Sequence, residues 1–367
     1  MLRRFFCKIL LVAIVVFSLL AISSAVMAQG RSADAFERVK EAQEKHTDVL
    51  MAMDGIEGTA IGYNQNDRLA IKVFTDGPGV RGIPQTLDGV PVQVVVTGKF
   101  YALVKPTTPP GQAKKKEEKI DPTSRFPRPV PIGVSTGNEN SVSAGTIGCR
   151  VTDGTNVYAL SNNHVYADDN HEDNIGDNVL QPGRYDGGVV GPDNIGTLFN
   201  YVPIEFPDDP ESDWEFWPNN FVDAAIATIE TADFDEDGNT ELAVGNATPS
   251  GGYGTPSSTT VSIDDVDVGL AVQKYGRTTG ETYGVVTGIN AALKIGYSSG
   301  TARFVNQIVI TGTRGKFSNA GDSGSLIVTQ SDNNPVGLLF AGGANLTIAN
   351  PIDAVLTAFE VTIDDTP

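Results

Sequence analysis

From Ile132 to the C-terminus the chain consists of short runs of Val, Ile, Thr and Tyr separated by Gly, Asn, Asp and Pro, and the helical apolar period nearly vanishes. Such a stretch has no continuous stripe for a helix to bury. It makes short strands joined by turns, and so predicts an all-β barrel or sandwich. One segment near the end departs from this pattern. Asn350 can cap a helix, Pro351 suits its first position, and Ile352, Val355, Leu356 and Phe359 form one apolar face. A single C-terminal helix is expected there.

The residues ahead of this β-rich region read differently. Arg3, Arg4 and Lys8 precede an apolar run from Ile9 to Ile22 that only Ser18 interrupts, and small residues lead to Val26-Met27-Ala28. This is the pattern of a secretory signal, predicted over 1–28, with a retained membrane anchor as the alternative. An exported protein, secreted or periplasmic, is expected either way. Phe36, Val39, Leu50 and Met53 then fall at helical spacing, and three β-rich runs follow over 58–63, 69–75 and 90–103. Residues 29–104 therefore read as a small α+β module. Between Pro106 and Pro131 lie seven prolines and the run Lys114-Lys115-Lys116-Glu117-Glu118-Lys119, which suits an extended, protease-accessible linker over 105–131. Placed between signal and β-rich domain (132–367), the module is a candidate propeptide.

Charge and composition exclude several functions. Twenty-six Lys and Arg stand against 45 Asp and Glu, a formal charge of -19, so no nucleic-acid partner is expected. No membrane partner is expected once a signal is removed. Two Cys and three His exclude a disulfide scaffold or a zinc ribbon. Cys7 would leave with the signal, and Cys149 would remain as a buried apolar side chain. Imidazole chemistry must come from His46, His164 or His171, and His46 rides on the first helix without companion ligands.

Three segments carry chemistry. The run Tyr158-Ala159-Leu160-Ser161 is strand-like and ends in a polar turn with His164. Asp223 heads the nearly apolar run Ala224 to Ile229, and a carboxylate at such a place needs a hydrogen-bonding partner such as an imidazole N–H. Ser323 lies in Gly321-Asp322-Ser323-Gly324, opening another apolar strand; the glycines let backbone N–H groups converge on a developing oxyanion. The order His164, Asp223, Ser323 is a known order for a Ser-His-Asp triad.

On these residues, residues 132–362 resemble the chymotrypsin/trypsin-like serine peptidases. Gly276-Arg277-Thr278-Thr279-Gly280 followed by Gly284-Val285-Val286 is similar to the second-barrel hairpin of secreted bacterial members. The resemblance implies two antiparallel β-barrels with the active site between them and a protein or peptide substrate. It further implies Ser323 as nucleophile, His164 as general base and then acid, and Asp223 as the group orienting the imidazole. The backbone N–H groups of Gly321 and Ser323 would form the oxyanion hole, with Asp322 holding the loop. No cofactor is required for that chemistry. Phe317 would fall at the base of the primary pocket and 336–342 along its wall; with no Asp at that base, a demand for Lys or Arg is not supported. Asn162-Asn163 before the histidine, Ser325 after the second glycine and the missing disulfides depart from the family pattern.

Two acidic segments have other readings. His171 with Asp168, Asp169, Glu172 and Asp173 reads as a solvated loop, its spacing matching no tight ligand motif. Asp233, Asp235 and Asp237 before Gly238 resemble the start of a calcium loop and are a candidate structural Ca2+ site, although the twelfth position is Val244; an acidic turn is the alternative. The stretch between Arg184 and Lys274 holds no Lys or Arg, a solvated surface or an anionic rim. The expected function is a secreted serine endopeptidase, with a non-catalytic or self-processing binding protein on the same fold as the alternative.

Overall fold

The computed structural model describes residues 34–103, 120–170, 175–233 and 240–366. The signal expected at 1–28 and most of the expected linker lie outside them. Among the described residues the chain is mostly β. Apart from short 3-10 turns, helix is confined to 34–51 (α1), one turn at Asn163–Tyr166 (α2) and Ile352–Phe359 (α3). No described helix is long and apolar enough to cross a membrane.

Six strands close into a ring. In pairing order they are Ala271–Gly276, Gly280–Gly296, Thr301–Gly312, Leu346–Pro351, Pro335–Gly343 and Leu326–Thr329, which pairs back to the first. Every neighbouring pair is antiparallel, so closure leaves the ring without a free edge. A second sheet of eight short strands follows an open path. It runs from Thr362–Ile363 through Cys149–Thr152, Val157–Ser161, Ala225–Thr228, Asn194–Tyr201, Asn178–Leu180 and Ser135–Asn138 to Gly145–Thr146. Its buried cluster contains Ile147, Cys149, Val151, Leu160, Val179, Leu198 and Ile226. Cys149 is wholly buried, and burial pushes its thiol pKa up.

The segment preceding the linker shares its sheet and its core with the ring. The strand Gly280–Gly296 is longer than closure needs, and its far half offers an edge on which Ile56–Tyr63 pairs antiparallel, with Gly58 opposite Leu293. Leu69–Thr75 and Val90–Val96 extend that sheet outward. Val39, Leu50 and Met51 of α1 pack in one cluster with Val272, Val286 and Ile308 of the ring. The run expected over 90–103 is broken by Gly98, whose φ of 68° is left-handed. After this bend Phe100–Ala102 leaves the outer sheet and lies between Pro335–Gly343 and Gly280–Gly296.

Helix α3 forms where its apolar face predicts, but Asn350 does not cap it. Pro351 occupies the cap position without a side-chain hydrogen bond, and the Asn350 amide is used elsewhere. Beyond α3 the chain crosses back, so that Thr362–Ile363 pairs with Cys149–Thr152 and Asp364 meets buried Arg150.

Candidate functional site

Each of the three candidate catalytic side chains sits at the end of a strand. Val157–Ser161 delivers His164 onto α2, Asp223 precedes Ala225–Thr228, and Ser323 precedes Leu326–Thr329. All three are buried. His164 Nδ1 lies 2.5 Å from Asp223 Oδ2, and the His164 backbone N–H donates to Asp223 Oδ1 at 3.3 Å. Because the carboxylate can only accept, Nδ1 carries the proton and Nε2 is left with a lone pair. Burial opposes the imidazolium, but the Asp223 charge and hydrogen bond outweigh it and raise the His164 pKa above its ordinary value. Asp169 and Asp168 add to the raise.

Asp223 is held by residues that pattern reading did not single out. Tyr297, at the tip of the long hairpin, donates its hydroxyl to Oδ2 at 3.0 Å, and burial followed by the Asp223 charge pushes its phenol well up. The Asn350 side-chain oxygen accepts the Asp223 backbone N–H at 3.0 Å, while the Asn162 amide donates to the Asp223 carbonyl at 2.7 Å. Asn162, two residues before the histidine, thus braces the carboxylate loop. A tyrosine in a turn carries no periodic signal, and only the hairpin's length brings Tyr297 here.

Ser323 is not joined to the imidazole. Its Oγ donates to the Phe340 carbonyl at 3.3 Å, and His164 Nε2 is buried with no hydrogen-bond partner among the described residues. The structure therefore brings His164 and Asp223 into direct contact, while the Ser323 hydroxyl is bonded to the Phe340 carbonyl.

The Ser323 loop is held by the Gly276–Gly280 motif. Asp322 accepts the backbone N–H groups of Thr278 at 2.8 Å, Thr279 at 3.1 Å and Asn319 at 2.9 Å, together with the Thr279 hydroxyl at 2.8 Å. Lys274 Nζ is buried 3.4 Å from the same carboxylate, and burial lowers its pKa. Gly276 is required by close approach, since a Cβ there would lie 2.6 Å from Asp322 Oδ1. Gly321 has φ +95°, and a Cβ on it would meet Thr278 Oγ1 at 2.5 Å.

Thr146 joins the two sheets. Its N–H donates to the Ser323 carbonyl at 2.8 Å, its hydroxyl donates to the Gly321 carbonyl at 3.0 Å, and its own carbonyl accepts the Ser161 hydroxyl. Arg277, also buried, pairs with Asp186 across the same boundary.

The other candidates lie elsewhere. His46 is on α1, near Asp88. His171, Glu172 and Asp173 fall outside the described residues, as do Asp235 and Asp237; Asp233 ends the short strand Thr231–Asp233. Among the described residues no group of three or more His, Cys, Asp or Glu forms a metal-binding set.

A family model described as the Nal1 C-terminal domain matches residues 250–350. No curated protein matches the chain. Solved structures similar to it include a glutamic-acid-specific serine protease at 21% identity, covering 64% of this chain and 100% of that one with a TM-score of 0.42. Thermobifida fusca protease A is similar at 18% identity, with coverage of 65% and 99% and a TM-score of 0.41. Cellulomonas bogoriensis chymotrypsin is similar at 19% identity, with the same coverage and a TM-score of 0.39.

Proposed function

We propose that the protein is an exported serine endopeptidase that cleaves peptide bonds through an acyl-enzyme on Ser323. The observation carrying this reading is the buried His164–Asp223 pair, whose Nε2 is left without a hydrogen-bond partner among the described residues; the candidate nucleophile is Ser323 on its glycine-flanked turn. In the reaction Ser323 Oγ turns about its single χ1 torsion toward Nε2 and loses its proton to His164. It adds to the substrate carbonyl, whose oxygen takes charge beside the Gly321 and Ser323 amides. Asp223 stabilises the imidazolium, and Tyr297, Asn350 and Asn162 keep the carboxylate in place. In this reading the open eight-stranded sheet is the first barrel, the ring is the second, and residues 29–104 are a propeptide. No cofactor takes part; a calcium ion at Asp233, Asp235 and Asp237 would be structural.

A second reading, a binding protein on this fold without catalysis, is favoured by one observation: Ser323 Oγ bonds Phe340 instead of His164. Labelling with a serine-directed fluorophosphonate separates the two. Wild type labels, Ser323→Ala does not, and His164→Ala labels at least about 1,000-fold more slowly. A folded wild type that takes no label ends the peptidase reading.

A further inference from the structure

The segment Phe100–Leu103 lies on the candidate site as an extended peptide. It runs antiparallel to Pro335–Gly343, with Ala102 opposite Ala341 and Tyr101 opposite Gly342. The Leu103 N–H donates to the Phe340 carbonyl at 3.0 Å. That carbonyl also accepts the Ser323 hydroxyl, so the serine oxygen and the Leu103 backbone converge on one atom. The Leu103 carbonyl oxygen, in turn, accepts the Gly321 N–H at 2.7 Å. A carbonyl held by the amide two residues before a candidate nucleophile sits where an acyl group would be polarised for attack.

The side chain is accommodated as well as the backbone. A Cβ on Gly342 would lie 3.3 Å from Leu103 Cδ1, and one on Gly343 would lie 2.7 Å from the Lys99 carbonyl, so the glycines of this strand leave the space that the segment fills. Leu103 packs against the cluster containing Phe317, Val336 and Leu339. Phe317 belongs to the same apolar cluster, a surface suited to a leucine-sized side chain.

We infer that Phe100–Leu103 is the site's own first substrate: the chain is cut after Leu103, and the pocket beside Ser323 selects leucine-sized apolar residues. This rests on the peptidase reading above. Ser323 Oγ adds to the Leu103 carbonyl carbon while His164 takes the hydroxyl proton. The bond from that carbon to the next nitrogen breaks, and His164 passes the proton to the departing amine. Water, deprotonated by His164, then hydrolyses the Leu103 ester and regenerates Ser323. The segment covers the site before the cut; afterwards its freed end can leave the Gly321 amide, so the cut protein is open to other substrates and to a label.

The test uses full-length protein. Intact-mass analysis of wild type is expected to show a fragment ending at Leu103, Ser323→Ala to remain one chain, and Leu103→Asp to be cut there about 100-fold more slowly. Wild type that labels with fluorophosphonate but is cut elsewhere, or stays intact, overturns this inference and leaves the peptidase reading standing. Failure to label overturns that reading instead. A binding measurement decides independently of activity: Ser323→Ala/Leu103→Asp protein should bind the peptide Lys-Phe-Tyr-Ala-Leu, with its free C-terminal carboxylate, about tenfold more tightly than the same peptide ending in Asp. Equal affinities in a folded protein overturn the inference whatever the labelling shows.

Discussion

In the proposed reaction the base is His164, and its pKa direction makes a prediction. A general base must be neutral, and Asp223 together with Asp168 and Asp169 holds the imidazole above its ordinary value despite burial. The rate of fluorophosphonate labelling should therefore rise with pH through a midpoint above the usual histidine range. Tyr297→Phe sharpens the test. The lost hydroxyl no longer neutralises part of the Asp223 charge, so the carboxylate stabilises the imidazolium more strongly and the midpoint moves further up. Misorientation of the pair also lowers the maximal rate by about tenfold. An NMR titration of His164 in the same variant reads the shift without turnover. An unchanged midpoint would mean that Tyr297 only fills space. The candidates His164, Asp223 and Ser323 were legible in the sequence because each is a polar group beside an apolar run that needs a reason. Tyr297 and Thr146 were not, since their partners are 74 and more than 100 residues away.

Among the elements, the strand Ala271–Gly276 with its turn does most to hold the Ser323 loop, through Lys274 and the Thr278 and Thr279 amides on Asp322. Removing one partner of a buried ion pair costs about 3–5 kcal/mol. Lys274→Met should lower unfolding stability in denaturant by about 3 kcal/mol and suppress labelling of Ser323, because an uncompensated Asp322 would pull the loop out of shape. Lys274→Met/Asp322→Asn should recover much of the stability, an amide needing no counter-charge. The motif at Gly276–Gly280 was visible as a pattern, but the carboxylate that its amides hold was not. The strand expected over 90–103 shows the same limit: its apolar content predicts β structure throughout, yet Gly98 turns the chain and sends its end to a different sheet. Position alone suggests Asn350 as a cap, whereas the folded chain offers its side chain a buried backbone N–H.

In the whole molecule, the segment before the linker shares a sheet and an apolar cluster with the ring, and this governs what cleavage after Leu103 can do. Cutting one bond removes neither the strand pairing nor the buried Val39, Leu50 and Met51. The fragments should co-elute on size exclusion as one species and separate only in denaturant, as mass analysis of the peak would show. Fragments that part in plain buffer would mean that the shared core is too weak to hold them. The sequence alone determined that the chain is mostly β and which residues are candidates for chemistry, because strand periodicity, turn residues and polar groups beside apolar runs are local signals. The tertiary structure decided which strands close the ring, which residues brace Asp223, and what lies over Ser323. Those are long-range pairings, settled by where a long hairpin leaves an edge and where a glycine lets a neighbouring strand approach, and neither is encoded in any single window of the chain.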